Sequence, residues 1–274
     1  MRARRTGTLK AWTGGREMAS RRIVALCAFV LVIAPAGAKD WWGEKLPGQP
    51  TQFIFGYGSL INSPSRNSTA GATVQAIPVR VSAAFGYFRT WSDRSLSGFT
   101  ALGLRKAEPG EKGSTINGVV YAVEGEDMAK YDAREAGYAR IEVPRDEIEA
   151  VSWQRLPESG KIWVYVPSKP DGAPGVGLPP PDARYPLLQS YIDVVVEGGL
   201  EYGEGFAREL LETTYGWSDY WLNDRELSRR PWVHDPESAA VDNLLASVPE
   251  SADKLKSRLF SEPYAIRWSA QEAQ

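Results

Sequence analysis

Two short segments of the chain hold residue types that could together carry out proton-transfer chemistry. In the first, the apolar residues 53–55 lead into a glycine-rich stretch at residues 56–61. A strand that runs into such a turn exposes several backbone N–H groups in one concavity, where an anion or a carbonyl oxygen can bind. In the second, at residues 131–140, the carboxylate of Glu135 stands where a helix is expected to end. An anion-binding turn and one carboxylate suffice to move protons on a substrate that reacts with itself.

Glu135 is expected to lie on the inward face of its helix. Four residues recur at helical spacing on that face: Met128, Tyr131, Asp132 and Glu135. Met128 and Tyr131 indicate that the face looks inward, so the carboxylate would be partly removed from water. Desolvation raises the pKa of a carboxylate and makes it a better base near neutral pH. The alternative is a structural carboxylate that pairs with one of three arginines: Arg134, Arg140 or Arg89.

Other residues near these segments allow further functional interpretations. Tyr138 either orients a substrate or packs, and Arg89 either meets a substrate carboxylate or forms a structural pair. The turn is not a dinucleotide fingerprint, because Ile61 stands where the third glycine belongs. Ser59 is not in a G-x-S-x-G elbow. As a nucleophile it would have to recruit the single histidine, His234, so Ser59 is better interpreted as a turn residue.

The charge of the chain argues against a nucleic acid as partner. The net charge is −2, but residues 1–38 carry seven Arg or Lys and one Glu. The remaining residues hold 25 basic and 33 acidic side chains, a net charge of −8. Nucleic-acid binding needs a positive surface. At 274 residues the chain could form one large domain or two small ones.

Residues 1–38 have the pattern of a secretory leader. Two arginines, Arg21 and Arg22, precede an apolar run at residues 23–34, and residues 36–38 read Ala-Gly-Ala. This run is too short for a membrane-spanning helix. The sequence therefore predicts export with cleavage after Ala38, from a start at Met1 or Met18, and no stable membrane span after the leader is removed. The alternatives are an uncleaved anchor or a misassigned start with a fortuitous apolar run.

The cysteine and histidine content excludes several kinds of site. The single cysteine, Cys27, lies in the predicted leader, so the mature chain would contain no thiol. Disulfides, thiol catalysis and thiolate metal sites would then be excluded. One histidine cannot form a multi-histidine metal site.

The sequence pattern predicts a region rich in strands followed by a region rich in helices. Aromatic and β-branched residues predict strands at residues 52–55, 79–88, 99–104, 116–123, 139–143 and 162–166. Residues 126–136 are expected to form a helix that Gly137 closes. Residues 168–185 are rich in proline and glycine, which predicts a loop. Helical spacing of apolar residues predicts helices at residues 186–198, 205–214 and 251–260.

Both segments resemble motifs of the gamma-glutamylcyclotransferase superfamily, including its ChaC-like branch. The resemblance covers residues 51–166 and depends on Tyr-Gly-Ser-Leu at residues 57–60 and on Asp-x-x-Glu-x-x-Tyr at residues 132–138. Between them, Phe-Gly-Tyr-Phe-Arg at residues 85–89 and Gly-Val-Val-Tyr at residues 118–121 follow the same order. The resemblance implies an α+β fold with a small mixed β-barrel and peripheral helices. It also implies conversion of a gamma-glutamyl amide to 5-oxoproline and a free amine.

The resemblance also assigns roles to positions of this chain. Glu135 would be the general acid–base, and the glutamyl head would bind at six residues of the turn: Gly56, Tyr57, Gly58, Ser59, Leu60 and Ile61. The tethered α-amine attacks the side-chain carbonyl, so one carboxylate can serve and no cofactor is expected. The expected partner is a small gamma-glutamyl substrate. Two alternatives stay open: a non-catalytic binding module of the same fold, and a serine hydrolase that uses Ser59.

The resemblance and the composition together predict four parts of the chain. They are a leader at residues 1–38, a cyclotransferase-like domain at 51–166, a linker or loop at 167–185 and a helical C-terminal extension at 186–274. The leader and the extension distinguish this chain from the smallest members of the superfamily. The extension affects the prediction of the substrate range more than the prediction of the reaction.

Overall fold

The computed structural model describes residues 50–123, 127–169, 172–225 and 237–272, with side chains described as far as Trp268. The predicted leader, its cleavage site and His234 lie outside these residues. Among the described residues, no helix is long and apolar enough to cross a membrane.

The described residues contain twelve strands. They are β1 (Gln52–Gly56), β2 (Ala76–Val81), β3 (Tyr87–Ser95), β4 (Phe99–Lys106), β5 (Ile116–Val123), β6 (Tyr138–Glu142), β7 (Ile148–Ala150), β8 (Lys161–Pro167), β9 (Leu187–Leu188), β10 (Thr214–Tyr215), β11 (Trp221–Asn223) and β12 (Leu259–Phe260). Seven α-helices accompany them: α1 (Ser63–Ala70), α2 (Met128–Arg134), α3 (Gln189–Leu200), α4 (Glu204–Glu212), α5 (Ser238–Ser247), α6 (Pro249–Leu255) and α7 (Ser261–Glu272).

The strands form three sheets, and the largest has β1 in its interior. Its order is β6-β8-β1-β5-β2-β7, with β1 antiparallel to β5 and parallel to β8. The smaller sheets have the orders β10-β3-β4 and β12-β11-β9. The successive apolar residues Phe53, Ile54 and Phe55 of β1 point to opposite faces of the sheet and are almost completely buried, so both faces are covered at this strand. The turn that follows β1 therefore begins from a firmly held strand.

The α+β class is confirmed, whereas the predicted barrel is not. In the described part of the chain, the six-stranded sheet has β6 and β7 at its two edges, and the two do not pair with each other. The arrangement is an open sheet rather than a closed one. The predicted domain boundaries stay predictions.

One predicted strand is divided in the structure. The pattern at residues 79–88 predicts a single strand, but β2 ends at Val81 and β3 begins at Tyr87. Between them, the Ser82 hydroxyl accepts a hydrogen bond from the N–H of Ala84 at 3.2 Å and caps a 3-10 turn. Gly86 then adopts a φ of 78°, a left-handed conformation that favours glycine. The apolar residues on both sides of this turn conceal it in the sequence.

Helix boundaries also differ from the sequence-based predictions. The helix predicted at residues 126–136 spans Met128–Arg134, and the one predicted at residues 251–260 spans Pro249–Leu255. Pro249 stands at the first helical position, where its missing N–H is tolerated. Helix α1 was not predicted because its sequence contains no large apolar residue. Helices α5 and α7 were not predicted either.

Helix α3 supports the turn after β1 from the C-terminal half of the chain. Ten of its residues are buried, and most of its apolar side chains belong to the same core cluster as those of β1. A Cβ atom at Gly198 would lie 2.5 Å from the backbone nitrogen of Asn62. Only glycine permits this approach, so the helix contacts the backbone that directly follows the turn.

Candidate active site

The glycine-rich turn follows β1 and doubles back closely on itself. A Cβ atom at Gly56 would lie 2.9 Å from the Cβ of Leu60, which leaves no room for a side chain there. The Tyr57 hydroxyl donates a hydrogen bond to the Tyr165 carbonyl at 2.8 Å. This bond ties the turn to β8, so the turn is held at both its start and its side.

Only part of the backbone of the turn can donate hydrogen bonds to a ligand. The N–H of Ile61 donates to the Gly58 carbonyl at 2.9 Å and is therefore used within the turn. Ser59 and Leu60 open the 3-10 turn Ser59–Ile61, where N–H groups have no partner within the helix. Ile61 itself is completely buried. We conclude that Ile61 contributes packing, and that the donors lie at the residues before it.

The turn forms one wall of a cavity of about 580 Å³. The cavity brings together seven of the nine site residues predicted from the sequence: Gly56, Tyr57, Gly58, Ser59, Leu60, Glu135 and Tyr138. Ile61 and Arg89 are not among the described residues that line it. The turn and the end of α2 thus border one space, although they are far apart in the sequence.

Glu135 directly follows α2, and its carboxylate borders the cavity. The side chain is 15% exposed. Burial raises the pKa of Glu135 above its ordinary value; Arg134 opposes the rise, and the charge of Asp93 adds to it. The Nε of Arg134 lies 3.0 Å from Oε1 of Glu135. Glu135 therefore has the ion pair that the structural alternative predicts, and it also faces the space where a substrate could bind.

Asp132 and Gly137 fix the backbone on either side of Glu135. One oxygen of Asp132 accepts from the Tyr165 hydroxyl at 2.7 Å, and both lie 3.0 Å from Nη1 of Arg140. These bonds anchor α2 to β6 and β8. Gly137 adopts a φ of 99°, which lets the chain turn from α2 into β6.

Arg134 connects α2 to the turn and to α1. Its Nη2 donates to the Ser59 hydroxyl at 3.0 Å. Its Nη1 donates to the Ser65 carbonyl at 3.3 Å and also to the Thr69 hydroxyl. The Ser59 hydroxyl therefore contacts a cation that cannot take its proton. Arg134 places positive charge between the carboxylate of Glu135 and the turn.

A second carboxylate, Asp93, also lines the cavity. The Tyr138 hydroxyl donates to Oδ2 of Asp93 at 2.6 Å. Burial raises the pKa of Asp93, and the bond from Tyr138 opposes that rise. The register of β3 against β4 shifts between Trp91 and Asp93, and such a bulge changes the direction of the side chains around it. Among the described residues, no group of three or more His, Cys, Asp or Glu side chains could hold a metal ion.

Two buried tyrosines lie at the turn: Tyr57 within it and Tyr191 beside it. A Cβ atom at Gly58 would lie 3.3 Å from the Tyr191 hydroxyl, which places that hydroxyl next to the backbone of the turn. Burial raises the pKa of Tyr191 to about 12 and the pKa of Tyr57 well above its ordinary value. Both phenols are therefore neutral at physiological pH and can donate hydrogen bonds. The Tyr57 hydroxyl already donates to the Tyr165 carbonyl. The Tyr191 hydroxyl is therefore the one of the two that can donate a hydrogen bond to a ligand.

The structure places Arg89 in the core and not in the cavity. Its guanidinium donates to the carbonyl and the side-chain oxygen of Asn117 at 2.7 and 2.9 Å, to Thr214 Oγ1 at 2.8 Å and to the Leu210 carbonyl at 2.8 Å. The side chain is completely buried, and burial lowers the pKa of Arg89 to about 9. Arg89 thus joins β3 to β5, to α4 and to β10, instead of meeting a substrate carboxylate as one interpretation of the sequence proposed.

Sequence reasoning missed Asp93 and Tyr191 as cavity residues. Asp93 is a charged residue within a strand rich in aromatic residues. In the sequence it looks the same as a strand residue exposed to solvent. The spacing of Tyr191 fits the buried face of a helix and conceals the position of its hydroxyl. Both reach the cavity through tertiary packing, which no local pattern encodes.

Comparison with known proteins adds structural neighbours. No protein-family model matches the chain, and no curated protein matches it. A structure described as a gamma-glutamyl cyclotransferase is 15% identical, with a TM-score of 0.39, over 56% of this chain and 85% of the other. A gamma-glutamyl cyclotransferase specific to glutathione, from yeast, is 16% identical, with a TM-score of 0.36, over 76% and 96%. YkqA from Bacillus subtilis is 16% identical, with a TM-score of 0.37, over 60% and 55%.

The chain is similar to gamma-glutamyl cyclotransferases of known structure. This is the family that the two sequence motifs resemble. At these identities and TM-scores the likeness brings neither an activity nor a residue role to this chain.

Proposed function

We propose that the protein cyclises gamma-glutamyl amides to 5-oxoproline and releases the free amine. The observation that carries the proposal is the placement of Glu135. This carboxylate has a raised pKa and borders the same cavity as the glycine-rich turn. A base with a pKa nearer to neutrality transfers protons more effectively in both directions than an ordinary surface carboxylate.

The reaction moves two protons from one nitrogen of the substrate to another. The α-ammonium group gives a proton to Glu135, and the freed amine attacks the γ-carbonyl carbon. The new C–N bond closes a five-membered ring. The ring nitrogen gives up a second proton as the C–N bond to the leaving group breaks. Both protons end on the leaving amine, which departs as an ammonium ion, so the equation balances without water.

The turn has the groups that this reaction needs besides a base. The substrate's α-carboxylate and the oxyanion that develops at the γ-carbonyl both require hydrogen-bond donors. The N–H groups of Ser59 and Leu60 and the Tyr191 hydroxyl are donors beside the cavity. Preorganised donors of this kind are worth about 10²- to 10³-fold in rate each. Arg134 adds positive charge next to the carboxylate that receives the proton.

Incubation of the purified protein with a panel of gamma-glutamyl compounds tests the proposal. The panel contains gamma-glutamylalanine, a gamma-glutamyl alkylamine and glutathione. The products are separated, identified and quantified by mass spectrometry. We expect 5-oxoproline and free amine in equal amounts from at least one compound. Glutamate in place of 5-oxoproline would indicate a hydrolase, and binding without any product would indicate a non-catalytic module. Either result would refute the proposal.

We also propose that the protein is exported and that its mature chain begins at Lys39. The basis is the leader pattern of residues 1–38 alone. N-terminal sequencing of the protein recovered from fractionated cells of its source tests this. An intact leader on protein from the cytoplasmic fraction would contradict it.

A further inference from the structure

Asp93 has one carboxylate oxygen that the fold leaves without a partner. Oδ2 accepts the hydrogen bond from Tyr138 at 2.6 Å, whereas Oδ1 has no hydrogen-bond partner among the described residues. The side chain lines the cavity. Three cationic side chains border the same cavity: Arg134, which contacts Glu135 and Ser59, Arg94, which pairs with Asp182, and Lys169. Oδ1 is not among the fully buried side-chain atoms that lack a partner, so it is accessible and can accept a hydrogen bond from a ligand in the cavity.

Asp93 and Glu135 act on the same space. Both line the cavity, and the charge of Asp93 is close enough to affect the ionisation of Glu135. The turn contributes N–H donors to that cavity. The cavity therefore offers acceptors for an ammonium group and donors for a carboxylate. An α-amino acid head group carries one of each.

We propose that Asp93 binds the α-ammonium group of the substrate together with Glu135, and that Tyr138 holds Asp93 in position for this contact. The inference rests on the proposed function, because it names the substrate group that Asp93 meets. An alkylammonium has three N–H donors. One goes to Glu135, which takes the proton, and a second goes to Asp93. The nitrogen is then fixed relative to the γ-carbonyl before it loses its proton.

The contact makes Asp93 a specificity-determining residue. Two neighbouring carboxylates repel each other, and a cation placed between them removes that repulsion. A compound that lacks the α-amino group gains nothing from Asp93. The site is therefore expected to select gamma-glutamyl compounds with a free, charged α-amine over the corresponding glutaryl compounds.

Isothermal titration with two matched probes tests the inference. The probes are gamma-glutamylalanine and glutarylalanine, which differ only by the α-amino group. The Glu135→Gln protein is used so that neither probe is turned over, and it is compared with Glu135→Gln/Asp93→Asn. We expect the added substitution to weaken the binding of gamma-glutamylalanine about 10- to 100-fold, which is the range for a hydrogen bond between charged groups. Glutarylalanine is expected to bind both proteins equally well, or slightly better after the substitution.

Control variants separate recognition from a structural role of Asp93. Tyr138→Phe keeps the carboxylate of Asp93 but removes the hydrogen bond that positions it. This variant should weaken the binding of gamma-glutamylalanine about two- to tenfold and leave the binding of glutarylalanine unchanged. Asp219→Asn makes the same chemical change in an ion pair with Lys254, away from the cavity, and should alter neither affinity. Circular dichroism of each variant confirms that it is folded.

Each outcome of the titration bears on the inference. An equal loss of affinity for both probes would show that Asp93 only shapes the cavity. Unchanged affinity for both would show that Asp93 contacts no ligand. Either result overturns the inference, as does failure of gamma-glutamylalanine to bind. Release of 5-oxoproline by the unsubstituted protein is measured separately. If none is released but binding of gamma-glutamylalanine depends on Asp93, the proposed function fails, and what stands is the contact between Asp93 and the α-ammonium group of the ligand.

Discussion

The cavity and the C-terminal half of the molecule each contain a group of carboxylates and arginines, but the two groups are built differently. In the C-terminal group, Arg225 lies 2.7 Å from Asp193 and 2.9 Å from Asp242, and Arg258 lies 2.8 Å from Asp242. Every one of these carboxylates contacts at least one guanidinium. In the cavity, Arg134 contacts Glu135, whereas Asp93 has no arginine partner among the described residues.

The pKa of Asp242 moves in the opposite direction from the pKa values of Glu135 and Asp93. Burial alone would raise the pKa of Asp242, but hydrogen bonds from Arg258 and Arg225 bring it below its ordinary value. In the cavity, burial raises the pKa of Glu135 and of Asp93, and their partners do not reverse it. Fully paired carboxylates stabilise a fold, whereas incompletely paired ones can exchange protons and bind cations. The difference separates a structural network from a candidate catalytic one.

The largest expected effect is that of Glu135→Gln on turnover. Glutamine has nearly the same shape but cannot relay a proton, so we expect release of 5-oxoproline to fall about 10²- to 10⁴-fold. Asp242→Asn is the matched change in the C-terminal network and should leave the rate unchanged. Steady-state kinetics of both variants check this. Comparable losses in the two would remove the distinction between the groups.

A smaller loss of activity is expected from Gly56→Ala. The added Cβ would lie 2.9 Å from that of Leu60, so the turn has to move. Displacement of donors by about 1 Å can reduce the rate about 10²-fold. We therefore expect kcat/KM to fall about 10- to 100-fold, and Ser59→Ala to stay within about tenfold, the worth of one hydrogen bond. An inactive Ser59→Ala with an active Gly56→Ala would instead favour the serine hydrolase.

Stability should respond most to the C-terminal network. Asp242→Asn leaves Arg225 and Arg258 without one of their anions, and the side chain of Asp242 is about a third exposed. We expect the free energy of unfolding at pH 7 to fall by about 1–3 kcal/mol. Because the folded-state pKa is lowered, this contribution is present above the unfolded pKa and disappears as the pH falls through the folded pKa. Urea titrations at pH 7 and pH 3 measure it; an equal loss at both would contradict the assignment.

The smallest expected effect has the opposite sign. The folded-state pKa of Glu135 is raised, so the ionised side chain reduces stability above its unfolded pKa. We expect Glu135→Gln to increase the free energy of unfolding at pH 7 by about 1 kcal/mol or less. The difference should vanish below about pH 4, where the carboxyl is protonated in both states. The same urea titrations detect it, and destabilisation at pH 7 would indicate a structural role for the Arg134 pair.

The segments of the site could be predicted from the sequence because their patterns are local. The β-branched and aromatic residues at β5 predicted that strand with its observed boundaries. The apolar strand before the glycine-rich turn, and the helix before Gly137, were likewise visible as contiguous patterns. The two segments border one cavity in the structure, and that they act together on a substrate stays a prediction.

The remaining parts of the site depend on tertiary structure. Asp93 reaches the cavity through an irregularity in β3, which the sequence does not show. Arg89 could be interpreted as a ligand or a structural residue until its buried partners were known. The carboxylates of the C-terminal network lie on separate helices, so their pairing follows only from packing.

The pH dependence of 5-oxoproline release by the unsubstituted protein tests the central claim most directly. That claim is that Glu135, with a raised pKa, accepts the substrate's proton in its ionised form. Between pH 4 and 8, kcat/KM for gamma-glutamylalanine should fall on the acid side with an apparent pKa above about 4.3, the value of an ordinary glutamate. A rate that is constant down to pH 4, or no 5-oxoproline at any pH, would contradict the account.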